Sequence, residues 1–324
     1  MPVYNSDKYL EESIKSIINQ NYAKFEFIII SDDSSERTCE ILDRYSSIDR
    51  RIKVYYNKNK LGLIGSLNRG CQLSKGEFIA RMDADDISMP ERLQAQVDHL
   101  ERHPEIGILG SWAKRIDESG RIIGLTRLPT DPNLIKWHLI FDNCLVHPSV
   151  MMRRSLIDKL NFYSENKIYC EDYDMWTRAS VCSEIANLPL FLLRYRTSKK
   201  YISRNMPDIR ILTKLKQKYI KSILKLDIPI KELEIFYGID ELENNRNDNL
   251  YSYIFFNYIN NLYINYLKLN RLTNYEIWTI RKDMCKILCA FSYSIAKKGS
   301  FFEAFKLLIN GVRKWIPIYL STLL

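Results

Sequence analysis

Two acidic clusters carry a spacing that chemistry can use. Asp32-Asp33 follows the apolar run at residues 25–30, and Asp83-Ala84-Asp85-Asp86 follows residues 77–82. Two carboxylates one residue apart on a turn can share a hard cation. Mg²⁺ and Mn²⁺ take oxygen ligands and keep positions open for phosphate oxygens. The competing reading of either cluster is a solvated acidic turn. A further pair, Glu171-Asp172, opens a predicted helix, where acids also complement the macrodipole.

The elements that must hold these acids alternate. Leu10, Ile14, Ile17 and Ile18 recur at helical spacing after Ser6-Asp7, a pair suited to cap that helix. Residues 25–30 read as a strand buried on both faces. Ile41, Leu42 and Tyr45 share a face of a second helix. Residues 51–56 read as a strand, 62–73 as a third helix and 77–82 as a strand, and Pro90 opens a fourth helix. This alternation predicts an α/β class, with a parallel sheet and right-handed crossovers over roughly the first 130 residues. In such sheets ligands collect beyond the carboxyl ends of the strands, where both aspartate clusters fall.

Further along, 106–117 and 121–125 flank Gly120 as a hairpin. A short helix is expected at 134–141 and a strand at 149–152. A helix follows at 171–181, with Tyr173, Trp176 and Thr177 on one face, then a last strand at 190–195. After Lys199 the alternation stops and helices rich in Lys, Asn and Tyr take over. The expected division is therefore a catalytic domain at 1–200 and a helical region at 201–324.

Composition narrows the function classes. At 324 residues there is room for about two domains. An apolar share of 46% excludes a disordered polymer, and 11 Gly with 10 Pro exclude a collagen-like chain. Lys and Arg exceed Asp and Glu by 48 to 39, a net +9, which suits nucleic acid or anionic lipid equally. The seven cysteines are odd in number and lack CxxC pairs, so they read as reduced thiols. No apolar signal segment or spanning run is evident, so a cytoplasmic location is expected.

The segments PVYNSDKYL, SDDSS and LGLIGSLNRGCQLSKGEFIARMDADDISMPERLQAQ together resemble family 2 glycosyltransferases with the GT-A fold. HPEIGILGS, HPSVMMRRS and EDYDMWTR, in that order, resemble the bacterial polysaccharide and lipopolysaccharide branch of that family. The resemblance covers about residues 1–200. It implies a Rossmann-like mixed sheet and transfer of a sugar from a nucleotide-diphosphate donor, with inversion at the anomeric carbon.

The resemblance also implies roles for individual residues. Pro2, Val3, Tyr4 and Asn5 match the loop framing the donor's base. Asp32 matches the carboxylate that contacts the base, and Asp33 orders the turn beside it. Asp83 corresponds to the first DxD carboxylate, near ribose and metal, and Asp85 to the direct ligand joining metal and diphosphate, with Ala84 between them against the donor. The implied cofactor is Mn²⁺ or Mg²⁺. Lys60, Asn68 and Arg81 stand where polar groups could meet the donor, or Lys60 and Arg81 are solvated cations. Asp172, with Glu171 beside it, matches the base for the acceptor hydroxyl. His147 faces the acceptor or diphosphate, or is a packed residue. Arg178 holds the acceptor or pairs with an acid, and Trp176 is core.

Two features depart from the family pattern. An apolar strand precedes the PVYN segment in the family, whereas here it opens at Met1, so a shortened first strand or a start further upstream is expected. The histidine that follows the YR of the last strand in many relatives is replaced by Thr197-Ser198-Lys199. The metal would then rest on Asp85 and the donor, with Lys199 or Lys200 on phosphate.

In the basic remainder, Ile209, Leu212, Leu215, Tyr219, Ile220 and Ile223 form an apolar stripe, with Arg210, Lys214, Lys218, Lys221 and Lys225 on other faces. Residues 301–324 are similar. Such helices either lie on an anionic membrane or pack on the protein with a solvated basic face. Peripheral association with the inner membrane face is expected, serving a lipid-linked or glycan acceptor. The leading expectation is thus a metal-dependent hexosyl- or N-acetylhexosaminyltransferase using a UDP-sugar, for capsule or lipopolysaccharide. An impaired donor-binding subunit and a nucleotidyltransferase are the alternatives. No nucleic-acid motif accompanies the charge.

Overall fold

A computed structural model of the chain describes residues 1–165, 170–197, 209–236 and 248–297. The chain divides into two compact units, Met1–Asp208 and Ile209–Leu324.

In the first unit the opening elements are β1 (Pro2–Val3), α1 (Asp7–Ile18), β2 (Phe27–Ser31), α2 (Glu36–Ile48), β3 (Ile52–Tyr56) and α3 (Gly62–Leu73). β1, β2 and β3 form a parallel sheet in that order. All five β2 residues are buried, because both its faces are covered. Its odd positions, Phe27 and Ile29, meet Leu10, Ile14 and Ile17 of α1 and Leu42 and Tyr45 of α2 in one core cluster. Its even side faces α3, where a side chain at Gly70 would come within 3.6 Å of Ile30. Ser6 precedes α1 without a side-chain cap; its hydroxyl bonds the Tyr4 carbonyl at 3.1 Å instead.

The elements that follow are β4 (Phe78–Ala80), β5 (Ile87–Ser88), α4 (Arg92–Arg102), β6 (Ile106–Ile116), β7 (Ile122–Thr126) and α5 (Pro132–His138). A 3₁₀ turn (His147–Ser149), β8 (Met151–Arg153), α6 (Arg154–Lys159), α7 (Glu171–Ala179) and β9 (Glu184–Arg196) complete the unit. A second sheet runs β4-β8-β6-β9-β5, with β7 paired to β6; only β6 and β9 are parallel. The expected parallel sheet therefore stops at β3. β4 pairs antiparallel with β8, Ile79 opposite Met152, and β8 pairs in turn with β6. Between the two sheets lies a cavity of about 270 Å³, lined by Phe27, Ile28 and Ile30 on one side and Phe78, Ile79 and Ala80 on the other. Strand partners depend on contacts distant in sequence, which a local apolar rhythm does not encode.

Buried polar groups lock the ends of these strands. Arg92 is fully buried; its guanidinium donates to the carbonyls of Arg81 (2.7 Å) and Val150 (3.3 Å) and to Gln96 (3.1 Å). That grip fixes the chain where β4 ends and the acidic turn begins. Asp131, unremarked in the sequence, caps α5 by accepting from the amides of Asn133 and Leu134. All seven cysteines are free.

The described helices of the second unit are Ile209–Leu224, Ile230–Phe236, Asp248–Leu269 and Asn274–Lys297. In the first of them Leu215, Tyr219, Ile220 and Leu224 are buried, and it packs on the next two helices. Of the apolar stripe, Leu215, Tyr219 and Ile220 are thus buried within the unit and Ile209 is exposed, as are Arg210, Lys214, Lys218 and Lys221. No helix among the described residues is long and apolar enough to cross a membrane. Lys199, Lys200 and the 301–324 segment lie outside the described residues.

Candidate active site

The first strand and the loop after β2 build one edge of the site. The Asp32 amide donates to the Val3 carbonyl (2.8 Å), and the Ser35 amide to Asn5 Oδ1 (2.8 Å), which ties the two loops together. Asn5 and Asp33 sit at φ +46° and +58°, turn positions that short polar side chains tolerate. Tyr4 is exposed, with Lys60 Nζ 3.6 Å from its ring centroid, so the two make a flat basic rim. Asp32 departs from a simple base contact. Its carboxylate is 4% exposed and accepts from Asn57 Nδ2 (2.6 Å), the Leu61 amide (2.7 Å) and the Gly62 amide (2.8 Å). It therefore anchors the N-terminus of α3, and most of its acceptor capacity is used.

The acidic turn after β4 brings three carboxylates together. Oxygens of Asp83, Asp85 and Asp86 all lie within 4.8 Å of one another. Arg81, buried at the strand end, pairs with Asp83, and its Nε has no hydrogen-bond partner. Asp86 is fully buried: Oδ1 accepts the Arg196 amide at 2.7 Å, and Oδ2 has no hydrogen-bond partner. The Arg196 guanidinium bonds the Asp85 carbonyl (2.8 Å), the Asp117 carbonyl (2.9 Å) and Glu12 (2.7 Å), bracing the turn against α1 and the β6–β7 hairpin. Ala84 packs inward with Met82, so its side chain belongs to the core and only its backbone faces the turn.

The charges in this turn call for a cation. Burial and the neighbouring Asp83 push Asp85 up to about 6, and the same causes, joined by Asp85, raise Asp86 well above the usual carboxylate range. Carboxylates this close ionise together only if positive charge is supplied. Arg81 supplies one charge, and the orphaned Asp86 Oδ2 leaves an acceptor unmet. An all-oxygen set of this kind fits Mg²⁺ or Mn²⁺. Asp86 was not singled out as a ligand in the sequence; its position directly after the DxD pair was the available signal.

The second acid group opens α7. Asp172 is held at both oxygens, by the Tyr173 amide at Oδ1 (2.7 Å) and by Asn143 Nδ2 at Oδ2 (2.6 Å). Burial raises it above the ordinary aspartate range, and those two donors oppose the rise. Glu171 is buried, and burial followed by the Asp172 charge pushes it up to about 7. Behind it His147 is buried, 4.0 Å from Glu171 and with Nε2 3.0 Å from the Tyr163 hydroxyl. Burial keeps His147 well below the usual histidine range, hence neutral. Its ring lies edge-on to the buried Trp176.

Two further candidate residues bond within the fold. Asn68 exchanges a reciprocal pair of 2.9 Å hydrogen bonds with the Tyr163 backbone, which ties α3 to that loop. Arg178 pairs with Asp174 (2.8 Å) and donates to the carbonyls of Leu160 (2.7 Å) and Phe162 (2.9 Å), so its acid-pairing reading is the one observed. By contrast, Arg81 joins what the sequence keeps apart. Its buried charge acts on Asp85, Asp86, Glu171, Asp172 and His147 as well as on its partner Asp83.

Glu171 makes a prediction on stability. Its folded value of about 7 exceeds the unfolded 4.5, so the folded state holds the extra proton between these limits. That contribution is present below about pH 4.5 and is lost as pH rises through 7. Glu171→Gln should therefore raise the melting point at pH 8, by up to about 3 kcal/mol of stability, and have little effect near pH 4. Thermal unfolding at the two pH values checks this. An equal effect at both would contradict it.

Comparison with known proteins agrees with this geometry. Residues 1–160 match the family described as Glycosyl transferase family 2. An uncharacterized glycosyltransferase of Methanocaldococcus jannaschii is 37% identical over 216 residues, 63% of this chain and 72% of the relative. The O-antigen biosynthesis glycosyltransferase WbnJ of Escherichia coli is 35% identical over 205 residues, 62% of this chain and 79% of its own. Among solved structures, S. aureus TarS 1-349 in complex with UDP-GlcNAc superposes with a TM-score of 0.58 at 18% identity, over 99% of this chain and 90% of that one. The last likeness speaks to the fold alone.

Proposed function

The chain belongs to glycosyl transferase family 2 and has the GT-A fold, and from that premise we propose an inverting sugar transfer from a UDP-linked donor. The acceptor is a hydroxyl of a cell-surface glycan or of its lipid-linked precursor, in keeping with the O-antigen role in the name of one relative. The observation that carries this reading is the clustering of three carboxylates beside the buried Arg81, together with a second buried acid pair that the same charge influences. Asp83, Asp85 and Asp86 form one group and Glu171 with Asp172 the other, and Arg81 acts on both.

The chemistry follows from those positions. The acceptor oxygen attacks the anomeric carbon, the bond from that carbon to the diphosphate oxygen breaks, and its electron pair leaves with the nucleoside diphosphate. Asp172 accepts the acceptor's proton, a task for a carboxylate that is ionised and within hydrogen-bond reach. Asp83, Asp85 and Asp86 would hold a divalent cation, which would supply stabilisation of the charge that develops on the diphosphate. Pro2, Val3, Tyr4, Asn5 and Lys60 frame the base, and Asp32 keeps α3 and its loop in register beneath it. Lys214 and Lys218, with Lys221 shared with Asp227, support association with anionic lipid on the cytoplasmic face.

A thermal-shift screen of nucleotide-sugars with and without Mn²⁺ tests the reading. A UDP-sugar is expected to raise the melting point with concentration, and more strongly with Mn²⁺ present. If no nucleotide-sugar shifts it under either condition, the reading is wrong.

A further inference from the structure

We propose that Asn143 is a positioning residue for Asp172, holding one carboxylate oxygen in place so that the remaining lone pairs are free for the acceptor's proton. The inference rests on the reading of Asp172 as the base and deepens it. Asn143 Nδ2 donates to Asp172 Oδ2 at 2.6 Å across 29 residues of sequence. The orientation of the amide is determined by its other end, where Asn143 Oδ1 accepts the Leu145 amide at 3.1 Å. A flipped amide would lose that bond and bring an oxygen against the carboxylate. The Asn143 backbone amide is itself held by Asp142 Oδ1 at 2.8 Å.

The segment carrying Asn143 is built as a rigid mount. Leu139, Ile140, Cys144, Leu145 and Val146 are all buried. Asn187 of β9 donates to the Cys144 carbonyl at 2.9 Å, and the Ser149 hydroxyl to the Val146 carbonyl at 2.7 Å. The Tyr173 hydroxyl donates to the Leu139 carbonyl, so the residue next to Asp172 anchors the segment that returns to hold Asp172. The loop is bonded to α7 at two points, one structural and one on the carboxylate. A purely structural tie had no need of the second, because Asp172 already accepts the amide of Tyr173.

The physical effect is twofold. Two fixed donors confine the carboxylate to one rotamer, so its free lone pairs keep a constant direction. Donors to the ionised form also keep a half-buried carboxylate charged at working pH, against the burial that favours protonation. The charged and titratable groups around it are Glu171, Arg81 and Tyr163, with His147 neutral behind Glu171. Glu171 is a like-charge neighbour once ionised, and Arg81 opposes it.

The test compares Asn143→Leu, Asn143→Asp and Asp172→Asn by pH profiles of kcat/KM in the donor reaction with Mn²⁺. For Asn143→Leu the acid limb should move up by about one pH unit, with kcat lower by up to about 100-fold and donor KM unchanged. Asn143→Asp keeps the size of the side chain and replaces the donor by a carboxylate. It should move the limb further, and it serves if the leucine variant does not fold. A normal limb with losses only in melting point, or in kcat and KM together, would overturn the positioning role. If Asp172→Asn is inactive while both Asn143 variants keep the wild-type limb and kcat, this inference alone fails. If Asp172→Asn turns over like wild type, the base assignment fails with it.

Discussion

Asp172→Asn is expected to reduce sugar transfer by about 10²–10⁴-fold while leaving nucleotide binding intact. The substitution changes one atom in a side chain whose surroundings are already determined by two donors, the Tyr173 amide and Asn143 Nδ2. Its carbonyl oxygen can still accept from one of them, so the side chain keeps one of its two bonds at the start of α7. What is lost is the capacity to accept a proton. The acceptor oxygen then attacks with its proton unclaimed, and the barrier rises by the share that proton removal had contributed. Rate assays with saturating donor, alongside calorimetric titration with UDP, check both halves. Wild-type turnover in this variant would remove Asp172 from the mechanism.

Asp85→Ala is expected to abolish tight Mn²⁺ binding and to lower transfer by at least about 100-fold. Of the three clustered carboxylates, Asp85 is the one that neither pairs with Arg81 nor takes the Arg196 amide, so it is the freest to bind a cation. The same variant should be no less stable than wild type when metal-free at pH 8. Asp85 is held up to about 6 by burial and by Asp83, so above that pH its charge repels its neighbours without compensation. Removing it relieves that repulsion. Manganese titration followed by unfolding in chelator separates loss of a ligand from misfolding. A variant that binds Mn²⁺ normally, or that melts well below wild type in chelator, would contradict this account.

Much of the architecture was legible from periodicity. The helix at Gly62–Leu73 and the buried run in β2 follow from apolar spacing, which is a local property. The failures were of another kind. The strand at Phe78–Ala80 was foreseen, but its antiparallel partner Met151–Arg153 lies some seventy positions away, in a second sheet that both strands share. Beyond the acid pairing foreseen for Arg178, backbone groups of the 160–163 loop bond both Asn68 and Arg178. Nothing in their own neighbourhoods announces that loop.

The acids at the strand ends, the α/β alternation and the family resemblance were determined by the sequence alone, because motif and rhythm are written in adjacent residues. The tertiary structure decided how those acids are used. It assigned Asp32 to the amides of Leu61 and Gly62, 29 and 30 positions on, and Asp86 to Arg196, 110 positions on. It also paired Arg81 with Asp83 and set Asn143 against Asp172. Hydrogen bonds and charges act over a few ångströms whatever the sequence separation, so only the folded chain shows which carboxylates are already satisfied and which still call for a ligand.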